Sequence, residues 1–295
     1  MHEFYEPEVL KKLQKTELSM LKDFMSLCDS HGLIYFGIGG TGIGALRHQG
    51  FIPWDDDIDI GMPRKDFETF LRLARKEWKG KYYILNNRTH PEYPMMTTRL
   101  CKCGTVFQEQ VMKDVDCPFG IFLDLYVMDN LADGKLACQI QAWTAWFWSK
   151  LLVLACMEKP YLAQSGWKAE AIWAVCRLVH RGIRGLHLKP ALFRAHCESA
   201  CRKYEGKKTR RMAFLPDTNP FWNIVDKTKM FPLRKLPYED TWLNFTGDIE
   251  EVMERQYGDY MKLPPEEKRK THYPYRLQFC DETADAGKEE YTECM

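Results

Sequence analysis

The sequence predicts an α/β (α+β) protein: a mixed β-sheet core flanked by helices and carrying a mainly helical insertion. Three observations lead there. A helical stripe over residues 7–30 feeds a strand, turn, helix, strand succession that ends near residue 62. Short runs rich in aromatic and β-branched residues then recur up to residue 127. From Lys135 to about residue 203 such runs stop and long helical stretches take over.

The first helix is read from Leu10, Leu13, Leu18, Leu21, Met25 and Cys28, at steps of three, four and five, with Gly32 placed to end it. LIYFGI at 33–38 has the length and composition of a buried strand. After Gly39-Gly40-Thr41-Gly42 the segment IGALRH favours helix, and Pro53 leads into a second strand over 57–62. Phe67, Phe70, Leu71 and Ala74 mark a helix over 64–78, and KYYIL, TTRLC, GTVFQ and GIFLDLYV read as strands. Four tryptophans between Trp143 and Trp167 accompany two or three helices. Residues 207–275 alternate short apolar runs with proline, and DIEEVMERQYGDYM reads as a final helix. The expected organisation is a catalytic core over 1–134, a helical subdomain over 135–206, a segment over 207–275 that packs back on the core, and a polar tail over 276–295.

Composition narrows the function. Of 295 residues, 45% are hydrophobic and 28% charged, which excludes a disordered or collagen-like chain. Lys and Arg total 42 against 41 acids, a formal charge of +1, so no nucleic-acid partner is expected and local charge must carry any anion binding. Eleven cysteines are spread over a long chain that begins MHEFYEPEVL, without a basic-then-apolar leader. Reduced thiols and a cytoplasmic location follow as expectations, the inner face of a membrane staying open. The Trp-rich run over 142–157 is interrupted by Lys150 and falls short of the ~20 residues of a spanning helix. Core packing is its expected role, with peripheral membrane contact as the alternative.

The strongest chemical signal is WDDDIDIGM at 54–62. In an extended strand Asp55, Asp57 and Asp59 face one way while Ile58, Ile60 and Met62 face the core, and Asp56 is out of phase. Asp57 and Asp59 would then lie ~6.6 Å apart, near enough to grip one hard cation or bridge a pair. Asp55, at ~13 Å from Asp59, joins them only if the chain bends after Pro53. A solvated acidic turn, or a cap for the helix that starts near Arg64, is the plain alternative. Yet like carboxylates crowded on a half-buried strand repel unless a cation neutralises them. All-oxygen ligation favours Mg²⁺ or Mn²⁺, ions that most often serve phosphate chemistry.

The glycine turn adds bare N–H groups at a helix N-terminus, suited to phosphate. It fits neither the Walker A pattern nor a dinucleotide-binding turn. A glycine turn followed by a hydrophobic-Asp-hydrophobic-Asp strand does resemble the nucleotidyltransferase fold. That resemblance implies a third carboxylate on a neighbouring strand, and Asp124 is the single acid within GIFLDLYV. Pairing of Asp124 with an arginine is the structural alternative.

The block GGTGIGALRHQGFIPWDDDIDIGMPRKDFETF is similar, almost residue for residue, to the defining block of the LicD family, which is related to the fukutin-related proteins. GIFLDLYVMD and ERQYGDYMKLPPEEKRKTH resemble two further blocks, leaving roughly residues 135–237 unanchored. The resemblance implies a nucleotidyltransferase-like core and a metal-dependent phosphotransferase. Its donor would be a CDP-linked small molecule such as CDP-choline, and its acceptor a glycan or lipid-linked saccharide of the lipopolysaccharide or teichoic acid kind. It implies Asp55, Asp57 and Asp59 as metal ligands, Gly39, Gly40 and Thr41 as the phosphate turn, and Arg47 and His48 beside it. Gly42 departs from the family, which often has a bulkier apolar residue there. Asp57, Asp59 and Asp124 are the expected catalytic set, Asp124 as the base; Arg64 joins Arg47 for its bidentate donors.

Other signals are set aside. Cys101-x-Cys103 is too tight for a zinc pair and has no partner motif, so no zinc is expected. Trp143, Trp146, Phe147 and Trp148 resemble a cage for a quaternary ammonium, but their helical spacing suits core packing. Tyr257 and Asp259 are read as a helix terminus, with closure over a nucleotide as the alternative. Two rival functions stay open. One is a nucleotidyltransferase moving NMP from an NTP with release of pyrophosphate; the other is a non-catalytic glycan-binding protein.

Overall fold

The computed structural model describes residues 5–162, 166–266, 269 and 271–280. The fold is mixed α/β. Helix α1 (Pro7–Ser30) has the bounds that its leucine pattern predicts, and the chain leaves it through Gly32 at φ +63°. There follow β1 (Phe36–Gly37), α2 (Gly39–His48), β2 (Asp59–Pro63), α3 (Arg64–Glu77), β3 (Tyr82–Leu85), β4 (Thr98–Lys102), β5 (Val106–Glu109) and β6 (Phe122–Leu131). Next come α4 (Lys135–Cys156), α5 (Trp167–Gly185), α6 (Pro190–Cys201), β7 (Arg211–Ala213), β8 (Ile224–Asp226) and α7 (Lys227–Met230). The described chain ends with β9 (Arg234–Tyr238), β10 (Thr241–Phe245), α8 (Ile249–Tyr257) and β11 (Pro274–Gln278). Of the polar tail expected over 276–295, residues 276–278 instead complete β11, which pairs with β5, and those from 281 on lie outside the described residues.

The main sheet runs β1-β2-β6-β4-β3, and β7 and β8 continue from the far end of β6. Only the β2–β6 pair in it is parallel. Phe24, Ile58, Ile60, Met62, Phe70, Leu123 and Leu125, none more than 0% exposed, pack α1 and α3 onto the sheet. The strand predicted over 33–38 shrinks to two residues, because β2 offers β1 only Ile60 and Gly61 as partners. β2 itself starts at Asp59 rather than at residue 57: the turn at Pro53 and Trp54, closed by Asp55 N–H to Ile52 O at 2.9 Å, keeps residues 55–58 out of the ladder.

Helices α4 and α6 pack through small side chains, Ala142 and Ala145 against Cys197, Ala200 and Cys201. The aromatic run of α4 is divided: Trp146 donates to Thr218 O at 3.0 Å and Trp148 stacks on His196, while Trp143 and Phe147 stay half exposed. No described helix is long and apolar enough to cross a membrane. All ten described cysteines are thiols.

Candidate active site

The acidic segment is positioned from behind. Asp59 opens β2; its N–H donates to Thr41 Oγ1 at 2.8 Å and its carbonyl accepts from Ile38 N–H at 3.1 Å, which fixes the start of α2 against the start of β2. Ile58 O accepts from Asp124 N–H at 3.0 Å, and Asp59 stands in register with Asp124 across the parallel pair. The alternation predicted for this segment holds in its apolar phase, since Ile58, Ile60 and Met62 are fully buried.

Extended-chain arithmetic fails for Asp55. The bend after Pro53 folds it back, so that its Oδ2 lies 2.8 Å from where a Cβ on Gly40 would stand, while Asp59 Oδ2 lies 2.8 Å from the equivalent point on Gly39. The two carboxylates therefore rest against consecutive glycines, whose Cα atoms are about 3.8 Å apart. Gly39 has φ +56°, a backbone that itself favours glycine. Any side chain at either position would displace a carboxylate.

Asp56, the out-of-phase acid, is fully buried, taking Tyr5 Oη at 2.7 Å and the His272 backbone N–H at 3.0 and 2.8 Å. The His272 ring reaches both Asp56 and Asp57, with Nδ1 3.3 Å from a carboxylate oxygen of each. Asp56, Asp57 and His272 lie close enough together to hold an ion. His272 falls in the segment resembling the family's third block, but nothing in its spacing marks it as facing the aspartates.

Burial and mutual repulsion push these acids up. Asp55 and Asp59 are raised well above the usual carboxylate range by burial first and then by their fellow aspartates, Asp57 foremost. Asp57 is pushed up to about 6 by burial, with His272 opposing and Asp56 and Asp124 adding to the rise. Burial works against charge on His272, but Asp57 and Asp56 outweigh it and raise its pKa. Glu17 of α1, fully buried at the phase of Leu13 and Met20, has both oxygens without a hydrogen-bond partner. Its pKa is raised by burial and then by Asp57, Asp56 and Asp55. The signal for Glu17 was present: it is an acid inside the apolar stripe of a helix.

Asp124 has a cationic neighbour. Arg99, in register with it across the antiparallel β4–β6 pair, donates Nε to Asp124 Oδ1 at 3.3 Å and Nη2 to Glu109 Oε1 at 2.5 Å, with its guanidinium 3.7 Å above the Phe122 ring. Burial raises the Asp124 pKa, Arg99 opposes and Glu109 adds to the rise. The arginine pairing considered for Asp124 is thus present, and Asp124 still lies beside Asp59.

Helix α2 presents its N-terminus to this cluster. Its first helical bond is Gly42 N–H to Ile38 O at 3.3 Å, so the N–H groups of Gly39, Gly40 and Thr41 lie ahead of it. Thr41 spends its hydroxyl on Asp59 N–H, a structural task. Gly42 lets α8 approach: a Cβ there would meet Met253 Sδ at 3.0 Å. At the end of α8, Tyr257 Oη lies 3.7 Å from the same Gly39 point, and its pKa is raised by burial and then by Asp59.

The basic residues are placed elsewhere. Arg47 and His48 end α2, roughly 12 Å along the helix from Gly39. There Arg47 donates to Tyr260 O at 2.6 Å, Lys262 O at 3.3 Å and His48 Nε2 at 2.9 Å, tying down the chain after α8. Arg64, past the other end of β2 and roughly 16 Å from Asp59 at ~3.3 Å per residue, makes a bidentate pair with Asp129 at 2.8 and 2.5 Å and joins an ion network with Glu68 and Glu198.

Residues 32–118 match the family described as LicD/FKTN/FKRP, nucleotidyltransferase domain. The chain is 26% identical over 277 residues to the lipopolysaccharide cholinephosphotransferase LicD of Haemophilus influenzae, covering 90% of this chain and 96% of that protein. It is also 35% identical over 71 residues to an uncharacterized protein of Rickettsia typhi, covering 24% of this chain and 23% of that protein. The family match spans the glycine turn and the acidic segment and the Haemophilus relative aligns along nearly the whole chain, so the chain is similar to the LicD family in the block that carries its acidic site.

Proposed function

We propose that the protein is a metal-dependent transferase that moves a phosphocholine-like substituent from a CDP-activated donor to a hydroxyl of a cell-surface glycan or glycolipid precursor, releasing CMP. The observation that supports it best is the placing of Asp55 and Asp59 against the first glycines of α2, with Asp57 and Asp124 near enough to raise the pKa of Asp59. The relative aligned along nearly its full length carries a cholinephosphotransferase name, and the reading of donor and acceptor class starts from that name.

The residues fit a divalent cation. Asp59 Oδ1 is buried without a hydrogen-bond partner, and its neighbours are carboxylates that raise one another's pKa. Asp55, Asp57 and Asp59 would hold Mg²⁺ or Mn²⁺, with the His272 ring 3.3 Å from Asp57. When bound, the ion supplies charge neutralisation for a diphosphate and its departing CMP. The leading N–H groups of α2 and its dipole favour phosphate oxygens at Gly39 and Gly40. Tyr257 Oη, above Gly39, is placed to donate to the same group. Asp124 is the proposed base: the acceptor hydroxyl gives it a proton as the new O–P bond forms and the bond to CMP breaks. Arg47 and Arg64 take no part, because both guanidinium groups are engaged elsewhere.

Incubation with Mg²⁺ and, in turn, CDP-choline, CDP-ribitol, CDP-glycerol and CTP tests this reading. Release of CMP from a CDP-alcohol is expected. Pyrophosphate released from CTP, with no CMP from any CDP-alcohol, would replace the proposal with the nucleotidyltransferase reading.

A further inference from the structure

Helix α5 carries two apolar faces, and only one has a partner among the described residues. Ala169, Cys176 and Ile183, one residue in every seven, form a narrow buried seam. Near the opposite side of the helix Trp167, Ala171, Ala174 and Leu178 follow at steps of four, three and four, all exposed. Trp167 is 77% exposed, Leu178 72% and the adjacent Val175 61%. A helix that merely covered the body would be polar on this side.

The charges beside that stripe have one dominant sign. Within α5 stand Lys168, Arg177, Arg181 and Arg184 against Glu170, in a chain whose formal charge is only +1. Arg181 has Glu158 at 3.7 Å; Lys168, Arg177 and Arg184 make no ion pair among the described residues. Helix α4 also exposes Leu136, Ile140, Trp143 and Phe147, but its own cations are only Lys135 and Lys150. No described helix is long and apolar enough to cross a membrane, so a lipid contact by these helices would be one of lying on the surface.

We infer that α5 docks the protein on an anionic lipid bilayer, with Trp167, Val175 and Leu178 entering the interface and Lys168, Arg177 and Arg184 meeting the headgroups. Charge complementarity selects this occupant over a second copy of the chain, whose own α5 would bring the same positive charges face to face. The inference is independent of which donor or acceptor the active site uses.

Co-sedimentation of the full chain with vesicles tests it. One set is phosphatidylcholine alone; the other contains about one-third phosphatidylglycerol. Binding is expected only to the second set and is expected to weaken at high salt. Trp167→Ser with Leu178→Ser should lower that binding at least about tenfold. Arg177→Gln with Arg184→Gln should lower it about 25-fold, at roughly fivefold per charge. Both serine substitutions are at exposed sites, so an unchanged melting temperature would show the fold intact. Indifference of the unaltered protein to anionic vesicles would overturn the inference, as would vesicle binding that neither variant weakens. A dimer that the serine variant dissolves, without vesicle binding, would assign the face to a second copy instead.

Discussion

Asp59 and Asp124 stand directly opposite each other on the parallel strands β2 and β6, and Arg99 on β4 stands opposite Asp124 on its other side. Strands are about 4.8 Å apart, so two carboxylates and one guanidinium form a row across three strands. Arg99 hydrogen-bonds Asp124 at 3.3 Å and makes no such bond to Asp59, whose Oδ1 stays buried without a partner. The row lacks one positive charge, and the lack falls at Asp59.

Neutralising Asp59 should therefore separate stability from activity. Asp59→Asn removes a repelled charge, so in the presence of a chelator its melting temperature should rise by about 2 °C or more. Transfer should fall by roughly a thousandfold or more through kcat. Asp57→Asn is expected to behave alike. Calorimetry and CMP release check the two halves; a variant as active as the unaltered protein would remove these residues from the chemistry.

Arg99 is a different case, because it is the sole cation bonded to both Asp124 and Glu109 among the described residues. Arg99→Met would leave two buried carboxylates unpaired and should destabilise the fold by about 3–5 kcal/mol in urea titration. Arg99→Met with Asp124→Asn and Glu109→Gln should recover most of that stability but not the activity.

Much of this was legible in the sequence, and the limits have physical causes. Periodicity gave α1 its true bounds and put Ile58, Ile60 and Met62 in the core, because burial acts on side-chain phase. It could not give the bend that returns Asp55 to Gly40, since a turn breaks the phase on which the arithmetic depends. Arg47 and Arg64 were close to the motif in sequence yet point to Tyr260 and Asp129, because a helix or a strand of five to ten residues carries its far end well over 10 Å away. His272 came from more than 200 positions along the chain, a contact that only tertiary structure makes.

The two consecutive glycines give a test that touches no ionisable group. Gly40→Ala would place a methyl 2.8 Å from Asp55 Oδ2, and Gly39→Ala would place one 2.8 Å from Asp59 Oδ2. Each carboxylate has to swing away. We expect metal-dependent transfer to drop about a hundredfold for either variant. Gly39→Ala should also lose about 1 kcal/mol or more of stability, from its positive φ. Manganese titration followed by paramagnetic relaxation would register weaker ion binding in both, independent of turnover.

The pH dependence of the metal-free protein follows from the same crowding. Folding raises the Asp57 pKa from the usual carboxylate value to about 6, and it raises those of Asp55, Asp59 and Glu17 as well. Between about pH 4 and pH 6 these acids thus hold more protons in the folded protein than in the unfolded chain, so their contribution to stability falls as pH rises through that window. Asp57 alone accounts for a loss on the order of 3 kcal/mol by neutral pH. A divalent cation binds the ionised acids and acts in the opposite sense, stabilising by about 2.7 kcal/mol at a hundred times its dissociation constant. Melting curves at pH 5 and pH 7.5, with chelator and with Mn²⁺, should therefore cross: the metal-free protein melts higher at the lower pH, and the metal raises the melting temperature far more at the higher one. Equal stabilisation by Mn²⁺ at both values would mean that the ion binds away from these carboxylates.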